Sequence, residues 1–288
     1  MVVAYAPAME TTPPVRSLTI RSDLSVLPVD RVIHERDGYM VVRAPGNPSF
    51  YFGNLLIFPD APRSGDADRW ERLFDAEFAD EPGVRHRTFA WDRTDGAVGT
   101  AREEFVPRGY ELDETTALTA EAADLRPHPR ENRDVRIEVL DLRAPLDEGR
   151  WAEVVDVQVA GREPGYDEAS YRDFSTARLR DLRRVFARYG GAWYTAIDPE
   201  SDTVAGSCGL VVKEGVGRFQ TVDTAEAFRR RGICSRLVVE AARDAEARFG
   251  ATRFVIVADV HYHALGLYES LGFQRTEHSV AVFRRPDS

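Results

Sequence analysis

Residues 220–235 read QTVDTAEAFRRRGICS, a strand-like run that passes through three arginines and a glycine. Beyond it Leu237, Val238, Ala241, Ala242, Ala245 and Phe249 are apolar at helical spacing. The stretch therefore predicts a strand, a tight turn and an amphipathic helix. At such a junction the first helical amides have no carbonyl partners, and the macrodipole adds about half a positive charge at the same end. That combination suits an anion. Arg229, Arg230 and Arg231 add forked donors matched to phosphate, and Gly232 lets a ligand oxygen come close to the backbone. The glycine spacing is neither that of a P-loop nor that of a dinucleotide fingerprint.

The hexapeptide Arg229-Arg230-Arg231-Gly232-Ile233-Cys234 resembles motif A of the GNAT superfamily of acyl-CoA-dependent N-acyltransferases, [QR]-x-x-G-x-[GA]. Cys234 stands where the motif has Gly or Ala. A second stretch, LYESLGF at 267–273, is similar to motif B, and the interval between the two suits one helix plus one strand. The resemblance covers roughly residues 135–283. It implies a mixed, mostly antiparallel α/β fold with acetyl-CoA as co-substrate, no metal, and direct acetyl transfer to an amine of a small molecule or peptide. Carried over residue by residue, it implies that Arg229 to Ser235 hold the pyrophosphate, Ile233 and Cys234 included. The backbones of Val222 and Thr224 would pair with the pantetheine arm, and Tyr268 would protonate the departing thiolate. His261 falls where the superfamily often has an asparagine that contacts the cofactor or orders water.

An attacking amine must lose a proton, so an acceptor is needed within reach. Asp223 lies on the strand before the arginine turn, where the resemblance places such a group, while His263 follows the neighbouring strand and has a suitable intrinsic pKa. Asp259 and Glu226 are further acidic neighbours. Plainer readings stand beside these. LYESLGF also suits a packed helix end capped by Gly272, and Cys234 suits either a small packed residue or a helix-terminal thiol of lowered pKa. Asp259, His261 and His263 alternate as metal ligands on a strand do, but no further ligand is evident.

The chain has 288 residues, enough for two domains, and its 43% hydrophobic content supplies ample core. A net charge of −10 argues against nucleic acid as a partner. No run is long and apolar enough to span a bilayer, and the two cysteines, Cys208 and Cys234, make no disulfide framework, so a cytoplasmic protein without membrane contact is expected. Oligomeric state is left open between monomer and homodimer.

Along the chain, 1–25 is expected as an extended lead-in, 26–130 as a degenerate GNAT-like domain without a cofactor site, and 131–288 as the catalytic GNAT domain. The fold expected is thus two GNAT-like domains, each with its own central sheet flanked by helices. In the first, strands are expected at 31–42, 50–58, 84–92 and 111–120, with helices after Asp66 or Asp68 and at 101–106. Its turn at 59–65 lacks the arginine motif, and Phe105 takes the place of the motif B tyrosine. Two prolines and several charges in LRPHPRENR, 125–133, mark the linker. The second domain is expected to carry strands at 135–142, 192–197, 203–213, 217–222, 253–259 and 278–284, with helices at 146–161 and 175–189 besides those of the two motifs. Two other readings remain: an acyl-CoA-binding sensor or scaffold without turnover, and an acyltransferase acting on a non-amine acceptor.

Overall fold

The computed structural model describes residues 15–261 and 265–286. The first half runs α1 (Leu18–Ser25), β1 (Val32–Arg36), β2 (Tyr39–Arg43), β3 (Leu55–Phe58), α2 (Asp66–Glu77), β4 (Arg87–Trp91), α3 (Ala101–Glu104) and β5 (Glu111–Glu121). The second runs β6 (Arg136–Val139), α4 (Gly149–Ala160), α5 (Glu168–Tyr189), β7 (Gly191–Ile197), β8 (Val204–Lys213), β9 (Val216–Thr224), α6 (Ile233–Phe249), β10 (Arg253–Asp259), α7 (Leu265–Ser270) and β11 (Gln274–Arg284).

All eleven described strands join one sheet in the order β1-β2-β3-β4-β11-β5-β10-β9-β8-β7-β6. The expectation of two separate sheets is corrected here. β5, from the first half, lies between β10 and β11, and β11 lies between β4 and β5. Each half thereby lends its last strand to the other, so the edges that β4 and β10 would otherwise expose are paired. The sheet is mixed, with β3/β4 and β9/β10 parallel and the other pairs antiparallel.

Helices cover both faces. On one side α6 packs Leu237, Val238, Ala241, Ala242 and Ala245 against Phe219 and Phe254, joined by Tyr268, Leu271 and Phe273 from the motif B segment. On the other, Trp151 and Val155 of α4 and Leu182 and Phe186 of α5 meet Trp193 and Val211. In the first half Trp70 and Phe74 of α2 pack on Phe89, with Phe105 beside them, while Ile20 and Leu24 of α1 cover Leu55 and Ile57 on the opposite face.

Local differences from the expectation have local causes. Residues 18–25 are helical rather than extended because the Ser17 hydroxyl accepts from the Ile20 amide and Glu277 accepts from Leu18 and Thr19. The segment 31–42 is a hairpin broken at Gly38, whose φ is +82°. α5 starts at Glu168, seven residues early, where the Asp167 carboxylate accepts from Ser170 at 2.9 Å. The linker is a bound strap. Arg126 donates its amide to Leu271 at the end of α7, and Asn132 donates to Gly232 at the start of α6, both at 3.0 Å.

Candidate active site

The sequence folds the arginine turn as expected. α6 opens at Gly232, with φ of +75°, and closes at Gly250, whose left-handed backbone and amide bond to Glu246 form its C-cap. Arg229, Arg230 and Arg231 are exposed just before it and, among the described residues, form no ion pair. Arg229 reaches the Thr224 carbonyl, and Arg231 lies over the Phe228 ring. The Ile233 to Ser235 amides open the helix without intrahelical partners. The Ser235 hydroxyl is bonded to the Gly232 carbonyl at 3.0 Å. One reading changes: a Cβ on Gly232 would overlap the Arg130 carbonyl, so this glycine makes room for the strap.

Beside that turn the parallel strands part. β9 and β10 pair only from Arg253↔Val216 to Val255↔Arg218, yet β9 continues to Thr224 and β10 to Asp259. The cause lies in β9. Between Ser207↔Asp223 and Gly209↔Gln220 it carries one residue more than β8, a bulge in which Thr221 has φ of +47°. A β-branched residue rarely sits there, at a cost of ~1–3 kcal/mol. Ala225 donates to Ala205 of β8, so by strand alternation the Val222 and Thr224 amides face the gap.

Asp223, Cys234 and Tyr268 meet at this opening. The Asp223 carboxyl is half-buried, and burial pushes it up to about 6 against the opposing pull of Arg229. Burial and the Asp223 charge push the Cys234 thiol up to about 12, while a hydrogen bond with Tyr268 works the other way. The lowered thiol pKa considered for Cys234 is therefore reversed, because its packing outweighs the helix terminus. Cys208, also buried, is raised as well. Tyr268 is 3% exposed and meets Phe273 edge-on. His261 is exposed after β10, its amide bonded to the Asp259 carboxylate at 2.6 Å, so Asp259 is engaged in a local turn. His263 lies outside the described residues. Among those described, no group of acidic, histidine or cysteine side chains gathers that could hold a metal.

On the sheet face opposite α6, a cavity of about 360 Å³ adjoins the parted strands, lined by Gln220, Thr221 and Val257 together with residues of the first half. Of its polar lining, the stretch that decides the fold contains only Gln220 and Thr221. Asp113 and Arg178 belong to ordinary alternating and helical patterns that carry no signal of a shared cavity.

The first half repeats the order without the opening. β3, α2, β4, α3 and β5 follow one another as β9, α6, β10, α7 and β11 do. Here the parallel strands pair through Phe58↔Trp91, and Phe58 stacks on Trp70 at 3.8 Å. Before α2 the Glu104 carboxylate accepts from Gly65 at 3.0 Å and from Ala67 at 3.4 Å. A side chain of the chain itself thus occupies the helix N-terminus that an anion would take.

Residues 151–273 match the model of the acetyltransferase (GNAT) family. Among curated proteins none matches the sequence significantly. Solved structures share the fold at low identity. A functionally unknown conserved protein from Staphylococcus epidermidis is 16% identical, with a TM-score of 0.68 over 90% of this chain and 96% of its own. A GCN5-related N-acetyltransferase from Kribbella flavida is 14% identical, with a TM-score of 0.61 over 93% of this chain and 95% of its own. A tandem GNAT protein from the clavulanic acid biosynthesis pathway, also 14% identical, gives 0.53 over 97% and 92%. The chain thus has the GNAT acetyltransferase fold along nearly its whole length, and its residues 151–273 match the model of the acetyltransferase (GNAT) family.

Proposed function

We propose that the protein is an N-acetyltransferase that moves the acetyl group of acetyl-CoA directly onto an amine, once per chain, at the opening between β9 and β10. The observation that carries this reading is the gap itself. Two parallel strands part where one edge offers the Val222 and Thr224 amides and the adjoining helix offers its N-terminus with three exposed arginines. A pantetheine arm pairs with that edge as an added strand, and the pyrophosphate takes the turn from Arg229 to Ser235. The amine nitrogen then attacks the thioester carbon, forming the C–N bond as the C–S bond breaks. Asp223 accepts the proton lost by the amine, and Tyr268 gives its phenolic proton to the thiolate. A carboxyl poised near neutrality favours turnover over a binding-only module, because a base is useful when its pKa lies near the working pH. The filled helix terminus before α2 supports assigning no second site to the first half.

Thiol release from acetyl-CoA, followed with a panel of amines, tests the reaction, and Tyr268→Phe tests the mechanism. The substitution keeps the ring in its core and removes one hydroxyl. Thermal stability and acetyl-CoA affinity should therefore change little, while kcat falls by ~100-fold or more where chemistry limits the rate. An unchanged kcat in such an assay assigns the thiolate proton to another group.

A further inference from the structure

The cavity beside the gap is built by both halves, and its lining has two characters. Most of its wall is apolar, with Ile20 and Leu24 from α1, Phe50 and Phe52 from the segment before β3, and Tyr171 and Phe174 from α5. Its volume of about 360 Å³ lies at the lower end of small-molecule sites, which run from ~300 to 1,000 Å³. Charge is confined to a few groups, and two of them are already engaged. Arg218 is paired with Asp23 at 2.7 Å and bonded to the Ser22 hydroxyl at 3.0 Å. Arg178 donates to the Val26 carbonyl and to Gln220, each at 3.0 Å, and lies over the Phe50 ring at 4.7 Å.

Asp113 differs. It stands on β5, opposite Ala281 of β11, and lines the cavity with Thr115. Among the described residues no hydrogen bond or ion pair reaches its carboxylate. The charged groups that act on it are Asp23, Asp259 and Glu163, all acidic. Among the described residues Asp113 is the one charged group of the lining whose side chain has no hydrogen-bond partner, and an apolar chamber with such a carboxylate, opening on the place where the acetyl group would lie, is matched by a cation on an apolar body.

We infer that the acceptor is a small amine carried on an apolar body, aromatic or branched aliphatic, which lodges in this cavity between the halves and is first held by its ammonium group on Asp113, before the nitrogen enters the gap where Asp223 accepts its proton. The inference rests on the acetyl-transfer reading for the word acceptor, though the binding site itself does not. Burial, with the three acidic neighbours, pushes the Asp113 carboxyl up to about 7. Near neutrality the group is then half-protonated, and an ammonium beside it draws it to the carboxylate form. Hydrophilic amines fit poorly, since polyamines and amino acids would bury further polar groups against Ile20, Leu24 and Phe174 without partners.

Calorimetry on the full chain with 2-phenylethylamine, putrescine and glycine tests the site, and thiol release with acetyl-CoA and the same amines tests the reaction. Phenylethylamine should bind at least ~10-fold more tightly than putrescine or glycine, and Asp113→Asn should weaken it by ~10-fold or more while leaving acetyl-CoA affinity unchanged. Ile20→Trp, which narrows the apolar wall, should weaken it independently. Equal or tighter binding of putrescine or glycine overturns the inference, and so does an undiminished phenylethylamine affinity in Asp113→Asn. Tighter binding of octanoyl-CoA than acetyl-CoA, lost in Ile20→Trp, overturns it by making the cavity an acyl pocket. Phenylethylamine binding that depends on Asp113 but yields no thiol release upholds the amine site and removes only the transfer step.

Discussion

Asp223 is held at the end of β9 in the form least suited to its surroundings. Its carboxyl, raised to about 6 by burial, stands above the ~3.9 of an exposed aspartate. The sign of the linkage follows. Stability associated with this group is full below about pH 4 and is lost as the pH rises through 6, because the folded state binds the proton more tightly than the unfolded chain. Ionised Asp223 therefore costs up to about 3 kcal/mol at pH 8, at 1.36 kcal/mol per pKa unit. If it is the proton acceptor, kcat/KM should rise with pH through about 6 and then level until another group titrates. Asp223→Asn should raise the thermal midpoint at pH 8, abolish the limb near 6 and lower turnover by ~100-fold. An Asn variant with the wild-type pH profile places the acceptor elsewhere.

At the scale of elements, the strap from 124 to 132 connects the two segments that resemble the family motifs. It lies on Gly272 after α7 and on Gly232 before α6, and a Cβ at either glycine would overlap a strap carbonyl, Asp124 at one and Arg130 at the other. Gly272 also has φ of +109°, which side chains rarely adopt. Gly272→Ala should therefore cost ~2 kcal/mol or more, seen as a lower thermal midpoint, with faster hydrogen exchange at Arg126, whose amide is held by Leu271. Unchanged exchange at Arg126 would mean that the strap yields without detaching. The bulge at Thr221 is the companion device, since it turns β9 away from β10 and opens the gap.

At the scale of the whole molecule, the exchange of β5 and β11 makes the two halves depend on each other. Separated after residue 130, the second half would lose the strand between β10 and β11, and the first would lose the strand between β4 and β5. Long unpaired edges and a split apolar core disfavour folding. Fragments 1–130 and 131–288 should each lack a cooperative thermal transition and should form a stable one-to-one complex when co-expressed. A monomeric, cooperatively folded 131–288 fragment would show that the second half closes its sheet without β5. The cavity carries the same dependence, because part of its apolar wall comes from α1 and the segment before β3, whereas Phe174, Gln220 and Thr221 come from α5 and β9.

The sequence by itself determined the elements whose signals are local. The arginine turn into α6, the order of strands and helices from β3 onward, and Asp223 and Tyr268 as candidates were legible from periodicity, glycine placement and the two motif-like stretches. Strand bounds such as 253–259 were legible for the same reason. What the tertiary structure alone decided involves residues far apart in the chain. β5 pairs with β10, Glu104 fills the helix N-terminus before α2, and Asp113 shares a cavity with α5 residues some sixty positions later. None of these leaves a local pattern, since a strand's alternation records which face is buried but not which strand lies beside it. The raised Asp223 and Asp113 carboxyls belong to the same class, because burial and neighbouring charge arise only when the chain has folded.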